Sequence, residues 1–500
     1  MRNAAVCTLV ICGVLAGCTV GPDFRAPSPP QVSRFTAETN QAKDAVQLRW
    51  RAGEDIAQDW WTIFRSPQLD ALIKEAFEHN PDLKAAQASL RVAMENVKAQ
   101  QGYLYPSVTA GMAASRNKQS AQLSPVLSSP ALLYNLYQTQ LSVSWTPDLW
   151  GANRRTVEAL QAQADGQRYQ LQSAHVVLAS NLVAAAIQEA SLREQVAATQ
   201  ELIADQQRIL GIEREQRTLG QISGQDVAAQ ETILAQTEAL LPSLQKQLSQ
   251  QRDLLTVLVG RYPADQVQQR FQMSDLALPQ ELPLSVPSRL VEQRADIRMA
   301  QENMHAASAE VGVAIANTLP NITLTANAGA VSNQLGQLFG AGSGFWALGG
   351  SLTQPIFDGG TLLHRKRAAE ATLEQASFLY RGTVLRAFQD VADTLAAIES
   401  DLSAQQSAEA AEKAAARSLS LAQQQQSVGQ TSRLPLLAAQ AAYLQTRMAS
   451  IAARANRLAD SAALFQALGG GWSQSDKVAE QWAASYSKWG SVAAKKSPFP

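Results

Sequence analysis

Cysteine is almost missing from this chain: three residues in 500, Cys7, Cys12 and Cys18, all within the first eighteen positions. A protein with so few cannot be a disulfide-stapled scaffold and must be held by packing alone. Histidine is nearly as scarce. His79, His175, His305 and His364 are scattered and form no ligand spacing. No glycine-rich phosphate loop follows a strand pattern, so an enzyme is not expected. Beyond the first residues no run of about eighteen apolar residues occurs, so no membrane-spanning helix is expected either. Charge of one sign is also lacking. The formal net charge of −1 gives no reason to expect a nucleic-acid partner.

What is present begins at the N-terminus. Arg2, the apolar run 4–16 and the small residues before Cys18 read as a secretory signal, removed at residue 17. The sequence Leu15-Ala16-Gly17-Cys18 resembles the lipobox of bacterial lipoproteins. That resemblance implies a covalent lipid on Cys18, an S-diacylglycerol with an N-palmitoyl group, and no other cofactor. Thr19 stands where an aspartate would suggest inner-membrane retention, so delivery to the outer membrane is expected.

The chain is written twice. "EHNPDLKAAQ" at 78–87 matches "EQRADIRMAQ" at 292–301, and "YPSVT" at 105–109 matches "LPNIT" at 319–323. "TPDLWG" and "QPIFDG", "LGQIS" and "VGQTS", and Gly260 and Gly469 follow in the same order, at an offset of roughly 210 residues. The expected organisation is an extended anchored segment 18–62, repeat one 63–260, a linker 261–285, repeat two 286–469 and a loose tail 470–500.

Each repeat reads helix, strand, strand, long helix, turn, helix. Residues 67–102 and 286–317 are Ala-rich with helical periodicity. Residues 138–145 and 321–328 alternate polar and apolar side chains. Residues 346–352 keep Trp346, Leu348, Gly350 and Leu352 on one face, and 107–115 is a weaker fourth strand. Such alternation suits strands between two different solvents. Residues 152–218 and 360–427 contain no proline and predict helices of about 100 Å. Leu178, Leu182, Ala185, Leu192, Val196, Ile203 and Leu210 follow a heptad track, interrupted by Glu189, Thr199 and Gln206. Gly220 and Gly429 stand where a helix end favours a left-handed residue, and Ser223 and Ser432 can cap the returning helices 225–259 and 434–468.

Four strands cannot close a ring, and a sheet in lipid cannot leave its edge groups unpaired. Two chains would supply eight strands with a filled interior; three would supply twelve and leave a lumen. The polar face, rich in Ser, Thr, Asn and Gln, favours three.

"DWWTIFRSPQLDALIKEAFEHNPDLKAA" at 59–86, "YPSV", "VEQRADIRMAQ" and "QPIFDGG" resemble the outer membrane factor family of TolC-like channels, in its NodT-type lipoprotein branch of drug-efflux subunits. The resemblance implies a mixed α/β membrane protein. It would be a homotrimer with a shared 12-stranded antiparallel β-barrel, continued by a long coiled-coil α-helical barrel. It also implies a periplasmic adaptor and an inner-membrane pump, RND-type, as partners. It places adaptor docking at Gly220, Gln221, Ser223, Gly429, Gln430 and Ser432, and a periplasmic gate at Asp226 and Leu434. Asp226 reads equally as a first-turn acid favoured by the helix dipole. Ala438 stands where relatives often carry a carboxylate, and Ala295 replaces a common proline. Two rivals stay open: the duct of a type I protein-secretion system, and a lipid-anchored coiled-coil scaffold without a pore.

Overall fold

The computed structural model describes residues 19–32, 34–36, 49–54, 56–120, 133–278, 281–284, 286–428, 430 and 433–471. The signal peptide, Cys18, Gly429, Ser432 and most of the C-terminal tail lie outside the described residues.

The elements in chain order are β1 (Arg49–Ala52), α1 (Pro67–His79), α2 (Pro81–Gly102), β2 (Ser107–Lys118), β3 (Leu133–Trp145), α3 (Ala152–Thr218), α4 (Gly224–Leu258), β4 (Glu281–Leu284), α5 (Pro287–Gln293), α6 (Ala295–Ala316), β5 (Asn321–Ser332), β6 (Gly344–Thr353), α7 (Thr361–Ser427) and α8 (Arg433–Ala467). The long helices α3 and α7 have 67 residues each, and the returning helices α4 and α8 have 35 each.

The chain divides into two units. One, comprising residues 1–27, 89–168 and 299–381, is built on an antiparallel sheet in the order β2-β3-β5-β6. Its register separates two faces. Val108, Ala110 and Met112 on β2 pair with Val143, Leu141 and Thr139 on β3. The same face continues through Ala326 and Ala328 on β5 to Leu348 and Trp346 on β6. The other face carries Thr109, Gln140, Ser142, Thr323, Thr325, Asn327 and Ser351.

The start of α3 and α7 explains the repeated "PDLWG" and "PIFDGG" landmarks. Asp148 accepts from the amides of Asn153 and Arg154 at 3.0 and 2.9 Å. Asp358 accepts from Gly360 and Leu362 at 2.9 and 2.8 Å, and the amide donors hold its carboxyl below the usual range. Both carboxylates satisfy N–H groups that a helix start leaves unpaired.

An N-terminal strap lies on this unit. Val20 donates to the Trp150 carbonyl at 3.1 Å, and the buried Arg155 holds the Val20 carbonyl at 3.2 Å and Asp23 at 2.7 Å. Phe24 stacks on His305, whose nitrogens meet Glu158 at 3.1 Å and Glu302 at 3.2 Å. A Cβ on Gly21 would fall 2.4 Å from the Gly312 Cα, and one on Gly312 would fall 3.0 Å from the Val20 carbonyl oxygen, which accounts for a glycine inside α6.

The second unit comprises residues 28–88, 169–298 and 382–500. Trp60, Trp61 and Phe64 form a short 3-10 turn buried with Leu69, Leu72 and Ile73 of α1. Trp60 stacks on Phe465 at 5.3 Å, and Phe77 packs edge-on to Trp61 and His175. Burial pushes the His175 imidazole below its ordinary pKa. Strands β1 and β4 pair in parallel, Arg49 against Glu281 through Ala52 against Leu284.

The two predicted entrance helices are each broken. Residues 67–102 divide at Asn80–Pro81, where the Asn80 side chain donates to the Leu258 carbonyl and accepts from the Leu83 amide. Residues 286–317 divide at Arg294, whose guanidinium reaches Asp296, Asp390 and the Ala467 carbonyl. Each break receives the glycine that ends a returning helix. A Cβ on Gly260 would lie 2.7 Å from the His79 carbonyl oxygen, and one on Gly469 would lie 3.2 Å from the Gln293 oxygen. Both glycines have positive φ, +90° and +93°.

Helix α3 contains one stretch apolar enough to cross a membrane by length and composition, half of it buried. The same helix carries Glu189, buried and held by Arg193, by Arg252 at 2.9 Å and by the Phe271 amide at 3.0 Å. A carboxylate so partnered belongs to a protein interior. The other interruptions of the heptad track, Thr199 and Gln206, are buried as well.

Gly260→Ala meets both the close carbonyl and the left-handed backbone, so a loss of about 1–3 kcal/mol is expected. Gly53→Ala, also at positive φ but in open space, should lose less. Thermal unfolding of the two variants side by side checks this.

Candidate functional site

Three places carry functional chemistry: the two-faced sheet, the helix tips, and the helix layer behind the tips.

On the polar face of the sheet, the side chains bond to one another along the strand. Gln138 donates to Gln140 at 2.5 Å, and Gln140 donates to the Ser142 hydroxyl at 2.7 Å. Thr146 and Thr323 meet across strands at 3.4 Å. No Asp, Glu, Lys or Arg lies on this face of the four strands. It is an uncharged wall whose side chains hydrogen-bond to one another.

The aromatics at the strand ends divide by role. Trp145 and Trp150 donate their indole N–H groups to the Leu104 and Pro320 carbonyls at 3.1 and 2.8 Å, so both pack at strand–helix junctions. Trp346 and Tyr137 lie on the apolar face, whereas Tyr134 and Phe345 lie on the polar one. Ile356 and Phe357 are fully open to the surroundings, at 91% exposure each.

At the first tip, Gly220 has φ +71°. Its amide bonds the Arg217 carbonyl, and the Gln221 amide bonds the Gln216 carbonyl, both at 2.9 Å. These are the two hydrogen bonds of a Schellman C-cap. Ser223 then caps α4: its hydroxyl accepts from the Asp226 amide at 3.2 Å, and Asp226 accepts from the Ser223 amide at 3.1 Å. At the second tip the Gln430 amide reaches the Gln425 carbonyl at 2.9 Å, the same wide bond. Gly220, Gln221, Ser223 and Gln430 are all exposed. The corresponding predictions for Gly429 and Ser432 fall outside the described residues.

Of the two gate candidates, Leu434 is exposed, two residues from the buried Leu436 and so on nearly the opposite side of α8. Leu436 packs with Ala422 and Ala439 against Ile209 and Leu419. Asp226 is engaged as a helix cap. Farther from the tip, α3 and α8 are joined by Arg447 to Glu201 at 2.8 Å and by Arg454 to Glu194 at 2.5 Å. Arg447 also donates to the Tyr443 hydroxyl at 3.0 Å.

Sequence reading missed one pair. Burial, together with the neighbouring carboxylate of Asp460 on α8, pushes Asp401 of α7 up to about 6. Arg457, which donates to Gln405 at 3.1 Å, lies on the same two helices. Asp460 is the only acid of α8, a signal that was available.

The family profile described as "Outer membrane efflux protein" matches residues 72–261 and 286–470. The chain belongs to this family. It is 29% identical to the antibiotic efflux pump outer membrane protein ArpC of Pseudomonas putida, over 97% of this chain and 99% of that one. The outer-membrane channel OprN shares the fold at a TM-score of 0.81 and 26% identity, covering 91% of this chain and all of that one. The CmeC outer membrane channel of Campylobacter jejuni superposes at a TM-score of 0.84 over 93% and 98% of the two chains, with 22% identity. The protein is thus an outer-membrane efflux channel subunit and not an enzyme.

Two outcomes follow from this geometry. Asp226→Ala should remove about 1 kcal/mol from the start of α4 and speed amide exchange at residues 224–227. Ion selectivity should stay unchanged if the carboxylate serves as a cap, and should change if it lines a charged ring. The second outcome concerns pH. A carboxyl raised when folded binds its proton more tightly in the folded state. Stability therefore falls as pH rises from about 4 to about 6, and the penalty stands in full above that. Asp401→Asn should raise neutral-pH stability by on the order of 1 kcal/mol, after solvent screening of a partly exposed pair, and flatten that slope. Thermal unfolding between pH 4 and pH 8 measures both.

Proposed function

We propose that the chain is the exit duct of a tripartite efflux system. It would pass drugs or other small toxic compounds from an inner-membrane pump, RND-type, through a periplasmic adaptor to the exterior. The observation that carries this reading is the sheet. It has an apolar face, a polar uncharged face and two end strands, β2 and β6, with no further strand beside them among the described residues. Three copies joined β6 to β2 give twelve strands, apolar side to lipid and polar side to a lumen.

The rest of the reading follows from the same construction. The two halves are tandem structural repeats, and the equal helix pairs of the three copies line a helical barrel. Cys18 carries an S-diacylglycerol and an N-palmitoyl group beside the strap that begins at Thr19. The exposed tips at Gly220, Gln221, Ser223 and Gln430 receive the adaptor, joined there by Gly429 and Ser432, and Leu434 supplies the apolar closure. Since Ala438 is exposed and brings no carboxylate, closure there is apolar rather than acidic. ArpC, named for antibiotic efflux, supports small-molecule cargo over secreted protein.

Four measurements check the reading. The purified protein should run as a heat-sensitive trimer and conduct in a planar bilayer; a monomer without conductance overturns the duct. Cys18→Ser should abolish incorporation of labelled palmitate. Deleting the gene should raise drug sensitivity without loss of a secreted protein.

A further inference from the structure

The pore-forming segments, residues 107–145 and 321–353 with their loops, contain two charged residues and no carboxylate at all. The two are Arg116 and Lys118, both on β2 and both exposed. Their register decides which way they face. Arg116 pairs with Asn135 and Lys118 with Leu133, on the face shared by Val108, Ala110 and Met112. The opposite parity of β2, Thr109 through Asn117, belongs to the uncharged polar face. The only cations of the segment are therefore on the apolar side.

Their position along the strand is equally definite. Ser107 is the end of β2 that follows α2, and Lys118 is the end that leads into the loop between β2 and β3. Going toward that loop, the apolar face runs Val108, Ala110, Met112 and Ala114, the last opposite Tyr137. The cations follow directly. An aromatic side chain below and basic side chains above mark the boundary between hydrocarbon and headgroups.

We propose that Arg116 and Lys118 form a binding site for phosphorylated lipid headgroups on the outward rim of the sheet. The assignment rests on the reading of the sheet as a barrel wall. A cation at the edge of hydrocarbon needs an anionic partner or water. The protein offers no anion here: neither strands nor loops contain an acid, and a second copy would bring the same acid-free segments. An anionic partner would therefore come from the membrane. Arginine grips phosphate with two parallel N–H groups and lysine adds a point charge. Two residues apart on one strand, the two side chains start about 7 Å from each other, close enough to hold one phosphorylated headgroup between them. Asn135 beside Arg116 adds an amide for the headgroup hydroxyls.

The test uses full-length protein in zwitterionic bicelles, with monophosphorylated lipid A, phosphatidylglycerol, phosphatidylcholine or inorganic phosphate added. Native mass spectrometry counts retained lipid, and thermal unfolding reads protection. The expected result is retention of the two phosphorylated anionic lipids over phosphatidylcholine by roughly tenfold, with protection of a few degrees. R116Q with K118Q should lose that preference, and R116K with K118R should keep most of it. Equal retention of phosphatidylcholine, or an unchanged preference in the Gln variant, overturns the site. Protection by inorganic phosphate alone overturns the lipid assignment. Bilayer conductance separates the two readings. A Gln variant that conducts normally but retains no anionic lipid supports both. A wild type that conducts without lipid preference removes only this site, whereas a wild type that never conducts removes the barrel beneath it.

Discussion

Everything in the membrane-facing part depends on backbone hydrogen bonding at an unfinished edge. β2 and β6 end the four-stranded sheet, and each presents a row of N–H and C=O groups. In water such a row is solvated; in hydrocarbon each unpaired group costs several kcal/mol. The division between the faces raises the stakes. One face is mostly Val, Leu, Ala and Trp, which favour lipid, while the other is mostly Thr, Ser, Asn and Gln, which favour water. A single sheet cannot serve both solvents and leave its edges open. In the duct proposed above, closure with sister copies would resolve the conflict, and it would make the pore a property of the assembly rather than of the chain.

The second unit is organised around a different constraint, close backbone approach. Gly260 and Gly469 each press against the break between two short helices, on His79 and on Gln293. The helix break gives that glycine room, and the glycine lets the returning helix finish there. Around these joints, two charged groups that would be liabilities in a core are held by several partners. Glu189 is held by two arginines and an amide, and Arg294 by two aspartates and a carbonyl.

The long elements were legible because they are long. Helix 152–218 is found at the predicted bounds, and 361–427 differs by one residue. Alternation located the strands but shortened them. β3 begins at Leu133 rather than 138, because Leu133-Tyr134-Asn135-Leu136-Tyr137 places large side chains on both faces and hides the period. The breaks at Asn80 and Arg294 escaped notice because Ala-rich periodicity runs through them, although Pro81 was a warning. β1 and β4 are four residues each, too short to show a period, and their partner lies more than two hundred positions away. Of the candidate site, the Gly220 and Ser223 tip was readable as turn chemistry. Of the Asp401–Asp460 pair only half was, since Asp460 stands out as the only acid of α8 whereas Asp401 is one of several acids on α7 and meets it only after folding.

The Gln138–Gln140–Ser142 ladder has one more consequence. Side chains that already satisfy each other offer a passing solute few vacant donors or acceptors, and an uncharged wall gives it no counter-ion to pause beside. Residence on such a surface is brief for cations, anions and neutral molecules alike. In the proposed duct, friction along this stretch would be close to that of the water filling it.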